Sequence, residues 1–446
     1  MTSLAAPIVL AEIGWMTMAI VDTMMVGRQA NSSIAIGAVS LGGILYNAVA
    51  IFGAGLMLGL DTLVSHSYGA GDLEDAHRSL VNGIYLSLGM APILMGVIRL
   101  WEPMMRALHV EPDVLNQAIP YLRALNWSTL LLLLYFVFRR YLQGINLVRP
   151  VMFSLVSANL VNLVGNWALI YGHLGFRGMG TVGSGWATCI SRAYMAAVLL
   201  AYCVYYDLRY KTGLRHASRL PHMPRVRRLL ILGFPAAMQL GLEVGVFATA
   251  TALIARLGDL PLASHQIALN TVSFTYMVPL GISSAAAVRV GQALGRRDPH
   301  GASRAGWTAL ALGASFMTCM AIVLWLAPHY IVRIYTPDSR VIRAASGLLF
   351  VAAFFQLFDG LQAVATGALR GAGDTRTPMI WSSGLYWLLG LPLGTYLCFR
   401  VGWGAAGLWT GLCIALILIG SGLLYFWHRR ERTFASDDAL IRRPAP

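Results

Sequence analysis

The chain has 446 residues, of which 57% are hydrophobic and 12% charged, and its mean hydropathy is +0.65. A soluble domain of that composition would have to expose large apolar patches, so the chain reads as a polytopic membrane protein. Its formal net charge of +14 is spread over the connections between apolar runs, which argues for a topology signal and against a nucleic-acid surface.

Apolar runs of about 20 residues or more recur at 4–27, 34–66, 78–100, 116–142, 150–172, 180–206, 229–256, 262–292, 302–326, 342–371, 378–400 and 404–428. The expected fold is an all-α membrane protein, with twelve transmembrane helices in two parallel six-helix bundles around a central cavity. The first run starts at Leu4 with no basic segment ahead of it and no small-residue cleavage site before Asp22, so it reads as a retained helix and not a signal peptide. Because the chain begins almost at this span, a short cytoplasmic leader is expected to be missing from it.

One connection, 207–228, is long, polar and proline-containing. It divides the chain into an amino-terminal bundle (1–206), a linker (207–228), a carboxyl-terminal bundle (229–428) and a tail (429–446). The halves repeat. Pro7 matches Pro235, Gly71-Asp72 before Ala76 matches Arg297-Asp298 before Ala302, and Leu142-Gln143-Gly144 before Pro150 matches Leu369-Arg370-Gly371 before Pro378. Each repeat holds an even number of spans, so the two share one orientation.

Basic residues fix that orientation. Of the 33, 22 fall on one side, including Arg139, Arg140, the linker residues Arg215, Arg219 and Arg225, and the tail residues Arg442 and Arg443. Ten fall on the other, among them Arg99, Arg106, Arg123 and Arg177, and only Arg192 is expected inside a span. The positive-inside rule then makes both termini and the linker cytoplasmic.

Several chemistries are disfavoured. The single lysine, Lys211, follows Arg209-Tyr210, so no phosphate-binding GxxxxGK[ST] loop is present. Neither HExxH, GxSxG nor CxxC occurs, so no enzyme is expected. Cys189, Cys203, Cys319, Cys398 and Cys413 lie scattered in apolar runs and read as packing residues. Two GxGxxG matches, 178–183 and 402–407, follow no strand and read as turns capping the sixth and twelfth helices. The pairs Gly55/Gly59 and Gly367/Gly371 read as helix-packing contacts.

Five acids lie within spans: Glu12, Asp22, Asp61, Glu243 and Asp359. An ionised carboxylate at mid-membrane costs roughly 2.5–3.5 kcal/mol on insertion scales, so such residues face cavities or partners. Helical rise puts Glu243, Asp359 and Asp22 at about 21, 18 and 27 Å from the cytoplasmic end of their helices. Glu12 and Asp61 lie within ~12 Å of that end and read as interfacial. Gln356 and Gln362 extend a polar stripe around Asp359, and Gln239 does so for Glu243. Pairing with a buried cation is the competing account, with Arg192 the only mid-span candidate. A carboxylate pair in low dielectric takes up a proton, a monovalent cation or a cationic substrate, and competition among these permits exchange. Tyr276, at a similar depth, offers a ring face to such a cation.

The segments Ile20-Val21-Asp22-Thr23-Met24-Met25-Val26-Gly27, Glu243-Val244-Gly245, Ala263-Ser264-His265-Gln266-Ile267-Ala268, Val288-Arg289-Val290-Gly291-Gln292-Ala293-Leu294-Gly295 and Asp359-Gly360-Leu361-Gln362 through Thr375 resemble the multidrug and toxic compound extrusion (MATE) transporters, in particular their NorM-like branch. The resemblance covers essentially the whole chain. It implies an antiporter of the bacterial inner membrane that exports cationic or amphipathic drugs in exchange for Na+ or H+. It also implies that Glu243 and Asp359 hold the coupling cation, Na+ included, that Asp22 takes part in coupling, and that Tyr276, Asn162 and Asn166 line the sites. Thr188 and Arg192 join Gln239, Gln356 and Gln362 as candidate cavity residues. Where some relatives carry an acid, this chain has Asn166, and Arg192 departs from the branch pattern. Both departures shift weight to the carboxyl-terminal half. The expected partners are small cationic molecules and membrane lipid, with the chain a monomer, no cofactor beyond the coupling ion and no nucleic acid. The alternatives are a lipid-linked saccharide flippase of the same architecture and a non-transporting membrane scaffold.

Overall fold

The computed structural model describes residues 2–29, 32–107, 111–214 and 220–441; the basic residues expected at 215, 219, 442 and 443 lie outside them. Long apolar runs can satisfy their backbone in a membrane only as helices or closed barrels, and every described element is helical. The first eight are α1 (Thr2–Val26), α2 (Ser32–Met57), α3 (Gly59–Gly69), α4 (Leu73–Ala107), α5 (Pro112–Asn126), α6 (Thr129–Gly144), α7 (Val148–Tyr171) and α8 (Thr181–Tyr210). The second half holds α9 (Met223–Ala255), α10 (Asp259–Gly295), α11 (Pro299–Leu326), the short α12 (Pro328–Arg333), α13 (Ser339–Gly371), α14 (Arg376–Leu385), α15 (Leu391–Phe399) and α16 (Gly404–Ile441).

Ten spans are long and apolar enough to cross a membrane, and the pair α5–α6, bent by 45°, makes an eleventh. The twelfth is the continuous run α14, a π-helical turn at Tyr386–Gly390, and α15. The twelve-helix layout is therefore present, with the fourth and eleventh spans irregular. Helices α8 and α9 run into the expected linker from both sides, and α16 continues into the expected tail as far as Ile441.

Turn chemistry follows the repeat. Asp72 Oδ1 accepts from the Asp75 amide at 2.9 Å and Asp298 Oδ1 from the Gly301 amide at 2.8 Å, capping α4 and α11. Gly180 and Gly404, both with φ of 58°, stand at the starts of α8 and α16, as their turn motifs predict. At the start of α13, Asp338 accepts from the Arg340 amide at 2.8 Å, which holds its carboxyl below the usual carboxylate range.

Packing separates the chain into two compact units, Leu10–Ala237 and Met1–Val9 with Met238–Pro446. The divisions fall inside α1 and α9. In the first unit Gly55 and Gly59 bring α2 and α3 against α9, where a Cβ on Gly59 would meet Leu229 O at 2.7 Å. In the second, a Cβ on Gly281 would meet Val9 Cα at 2.8 Å, and Gly367 and Gly371 lie against the α10 backbone at Ser283 and Ala287. Both small-residue pairs are thus internal packing surfaces. Four cysteines are buried and free, but Cys319 is exposed on α11 and does not pack in a core.

Arg139 and Arg140 correct the sequence reading. They are not in a connection but on α6, both buried. Arg139 donates to Glu12 and Arg140 lies 3.5 Å from Asp61. Glu12 and Asp61 are therefore members of buried ion pairs, and Arg192 is not the one cation within a span.

Candidate functional site

In the unit containing α10 and α13, three helices bring the predicted residues together. Helical spacing puts Gln239 and Glu243 on one face of α9, and Gln356, Asp359 and Gln362 along one face of α13. Gln362 Nε2 donates to Glu243 Oε1 at 3.1 Å, which fixes the α9 acid against α13. Gln356 Nε2 donates to Thr275 Oγ1 on α10 at 2.5 Å, one residue before Tyr276. Asp359 is 7% exposed and Gln356 and Gln362 are fully buried, while Glu243 and Tyr276 are half-buried.

The two carboxylates lie close enough for the charge of Glu243 to act on Asp359, and for both to act on Tyr276. Neither has a cationic partner among the described residues. Glu243 is held by one amide donor, and Asp359 has no hydrogen-bond donor among the described residues. Two acids without a countercharge among the described residues, one buried and one half-buried, leave a site that a cation would suit.

Tyr386 is the residue that sequence reasoning missed. Its hydroxyl donates to Gln362 Oε1 at 3.2 Å, so a Tyr386–Gln362–Glu243 chain links the eleventh span to the acid. It begins the π-helical turn, and such turns shift the register of every side chain after them. The neighbouring Trp387 Nε1 donates to Leu242 O at 3.2 Å, a second tie to α9. A tyrosine in an apolar run carries no charge to mark it.

The other unit holds a second polar cluster. Asn166 Nδ2 donates to Asp22 Oδ1 at 2.6 Å and to Asn162 Oδ1 at 3.1 Å, and Thr188 Oγ1 donates to Asp22 Oδ2 at 3.1 Å. All four are buried. The fixed cation Arg192 donates to Ser128 Oγ at 2.6 Å and stacks on the Tyr46 ring at 4.7 Å. Its charge reaches Asp22, yet the hydrogen bonds to that carboxylate come from Asn166 and Thr188. Asn166 Oδ1 and Ser184 Oγ remain buried acceptors without partners among the described residues. No cluster of three His, Cys, Asp or Glu side chains occurs among the described residues.

The repeat and both clusters meet in one finding: the MatE family model matches twice, over residues 7–168 and 235–396. The chain belongs to the MatE family. Those two matches begin at Pro7 and Pro235, the pair that opens the internal repeat. Relatives include the probable multidrug resistance protein NorM of Mesorhizobium japonicum, 37% identical over 96% of this chain and 93% of that protein. The multidrug resistance protein NorM of Burkholderia vietnamiensis is 34% identical over 95% and 92%. The fold is that of a eukaryotic MATE transporter, with a TM-score of 0.88 at 19% identity over 98% of both chains. It is also that of a MOP superfamily transporter from Pyrococcus furiosus, described as having a binding pocket of reverse polarity (TM-score 0.84, 17% identity, 97% and 95% covered).

Proposed function

We propose that this chain is a secondary active antiporter that exports cationic or amphipathic drugs in exchange for Na+ or H+. The observation that carries the reading is the Glu243–Asp359 pair, one acid half-buried and the other buried, with no cation to neutralise them among the described residues. A site of that kind is empty of countercharge until a proton, Na+ or organic cation enters, and each entrant excludes the others. Tyr276 supplies an aromatic face and Gln239, Gln356 and Gln362 supply neutral polar groups that tolerate many cation shapes. The Asp22–Asn162–Asn166–Thr188 cluster is a second seat for a small cation, with Arg192 fixed nearby. The relatives named multidrug resistance proteins support the drug class.

In this reading the protein sits in a bacterial inner membrane with both termini cytoplasmic, the side that carries most of the arginines. A saccharide flippase would need cations to meet a pyrophosphate, and the Glu243–Asp359 pair offers the opposite sign. The test loads everted vesicles with a fluorescent cationic dye and imposes a Na+ or a pH gradient. Dye movement under one gradient, abolished in Glu243→Gln and Asp359→Asn, is the expected result. Transport that persists in both variants, or none under either gradient, refutes the assignment.

A further inference from the structure

In the unit Leu10–Ala237, the end of α4 and the end of α5 enclose a cleft of about 380 Å³. That volume is within the range of small-molecule and cofactor sites. Its floor is apolar, formed by Met95, Ile98 and Leu122, the last two fully buried. Its rim is charged, with Arg99, Arg123 and Glu102, and is closed by Trp127, which is exposed at the break between α5 and α6. The break itself makes the space. α5 and α6 bend by 45° after Asn126, α4 contains Pro92 and Pro103, and nothing lies within 4 Å of a Cβ on Gly96. The two walls are held apart at fixed distance, because Asn126 Nδ2 donates to Met95 O at 3.1 Å.

The charges around the cleft do not cancel. Arg123 Nε and an Nη donate to the two Glu102 oxygens at 2.8 and 2.6 Å, a bidentate pair that uses two of five guanidinium N–H groups. The charges of Arg106 and Arg99 also act on Glu102. Arg99 is exposed and has no hydrogen-bond or ion-pair partner among the described residues. Two guanidinium groups against one carboxylate leave a surplus of about one positive charge at the rim, with Arg106 close enough for its charge to act on Glu102. These arginines also sit on the side where the topology rule makes them scarce, so orientation does not account for them.

We propose that this cleft seats the headgroup of an anionic phospholipid, with its phosphate on Arg99 and the free N–H groups of Arg123 and its acyl chains over Met95, Ile98 and Leu122. Guanidinium groups match phosphate oxygens in a planar, multidentate way, and basic pockets between membrane helices bind lipid headgroups. A zwitterionic lipid fits worse. Its ammonium would need an open carboxylate, and Glu102 already has both oxygens taken by Arg123. The proposal does not depend on the efflux reading, since none of these residues belongs to either acid cluster.

The test uses the full-length purified protein and native mass spectrometry of bound lipid after exchange into phosphatidylglycerol or phosphatidylcholine. Wild type is expected to retain phosphatidylglycerol over phosphatidylcholine. Arg99→Gln, at an exposed and unpartnered position, is expected to lower that retention by about five-fold, the effect of one arginine near a membrane surface. Arg177→Gln removes the same charge from the same side elsewhere and is expected to leave retention unchanged. Equal loss in the two variants, or equal retention of both lipids, overturns the proposal. Displacement of the lipid by inorganic phosphate at tens of millimolar also overturns it, since the site would then hold a free anion and not a lipid.

Discussion

Glu12 and Asp359 are both carboxylates on membrane helices, and what faces each decides what its removal does. Glu12 neutralises Arg139, which is 1% exposed. Glu12→Gln therefore strands a buried guanidinium, and a loss of about 3–5 kcal/mol is expected, read as a large drop in thermal unfolding temperature in detergent. Asp359 neutralises nothing. Asp359→Asn removes a charge from a buried site, so the unfolding temperature is expected to hold or rise while gradient-driven dye transport falls roughly ten-fold or more, equivalent to about 1.4 kcal/mol of ion binding. A transport-dead Asp359→Asn that is also unfolded would contradict this division. Glu243 and Asp359 were legible because a charge in an apolar run stands out. The pairing of Glu12 was not, because Arg139 is 127 residues away and only tertiary packing brings it in.

At the scale of the element, the irregular eleventh span adds a polar group to the acid on α9. The π turn at Tyr386–Gly390 presents Tyr386 to Gln362, and Leu388 within it is 82% exposed, so the turn redistributes faces along one span. Tyr386→Phe keeps the ring and deletes the hydroxyl. It is expected to cost about 0.5–1.5 kcal/mol, the net worth of one hydrogen bond, and to shift the ion dependence of transport, because Gln362 is then free to turn away from Glu243. Unchanged ion dependence in that variant would show that the Tyr386–Gln362 bond does not steer the acid. Helix packing is equally specific. A Cβ on Gly411 of α16 would run into the Gly394 backbone of α15, so Gly411→Ala is expected to destabilise by about 1–3 kcal/mol, checked by thermal unfolding. The twelve apolar runs of the sequence mark where spans lie, but neither the π turn nor the α5–α6 bend alters hydrophobic content. A shift of phase inside a uniformly apolar helix leaves no trace in composition.

Across the whole molecule, the internal repeat and the packing units divide the chain at different places. The repeat starts at Pro7 and again at Pro235, whereas packing assigns Met1–Val9 to the unit built from the second half and the start of α9 to the unit built from the first. Leu4, Ala5 and Ile8 are buried, so a carboxyl-terminal half expressed alone lacks the segment that covers Gly281. Fragments 1–214 and 215–446 are expected to copurify when coexpressed and to be degraded when expressed singly; a stable single fragment would contradict the exchange. The same exchange bears on ancestry. If the repeat arose by duplication of a six-helix chain, that shorter chain was complete only by lending the start of its first helix to a second copy, so its working form was already a pair before fusion made the two copies one polypeptide.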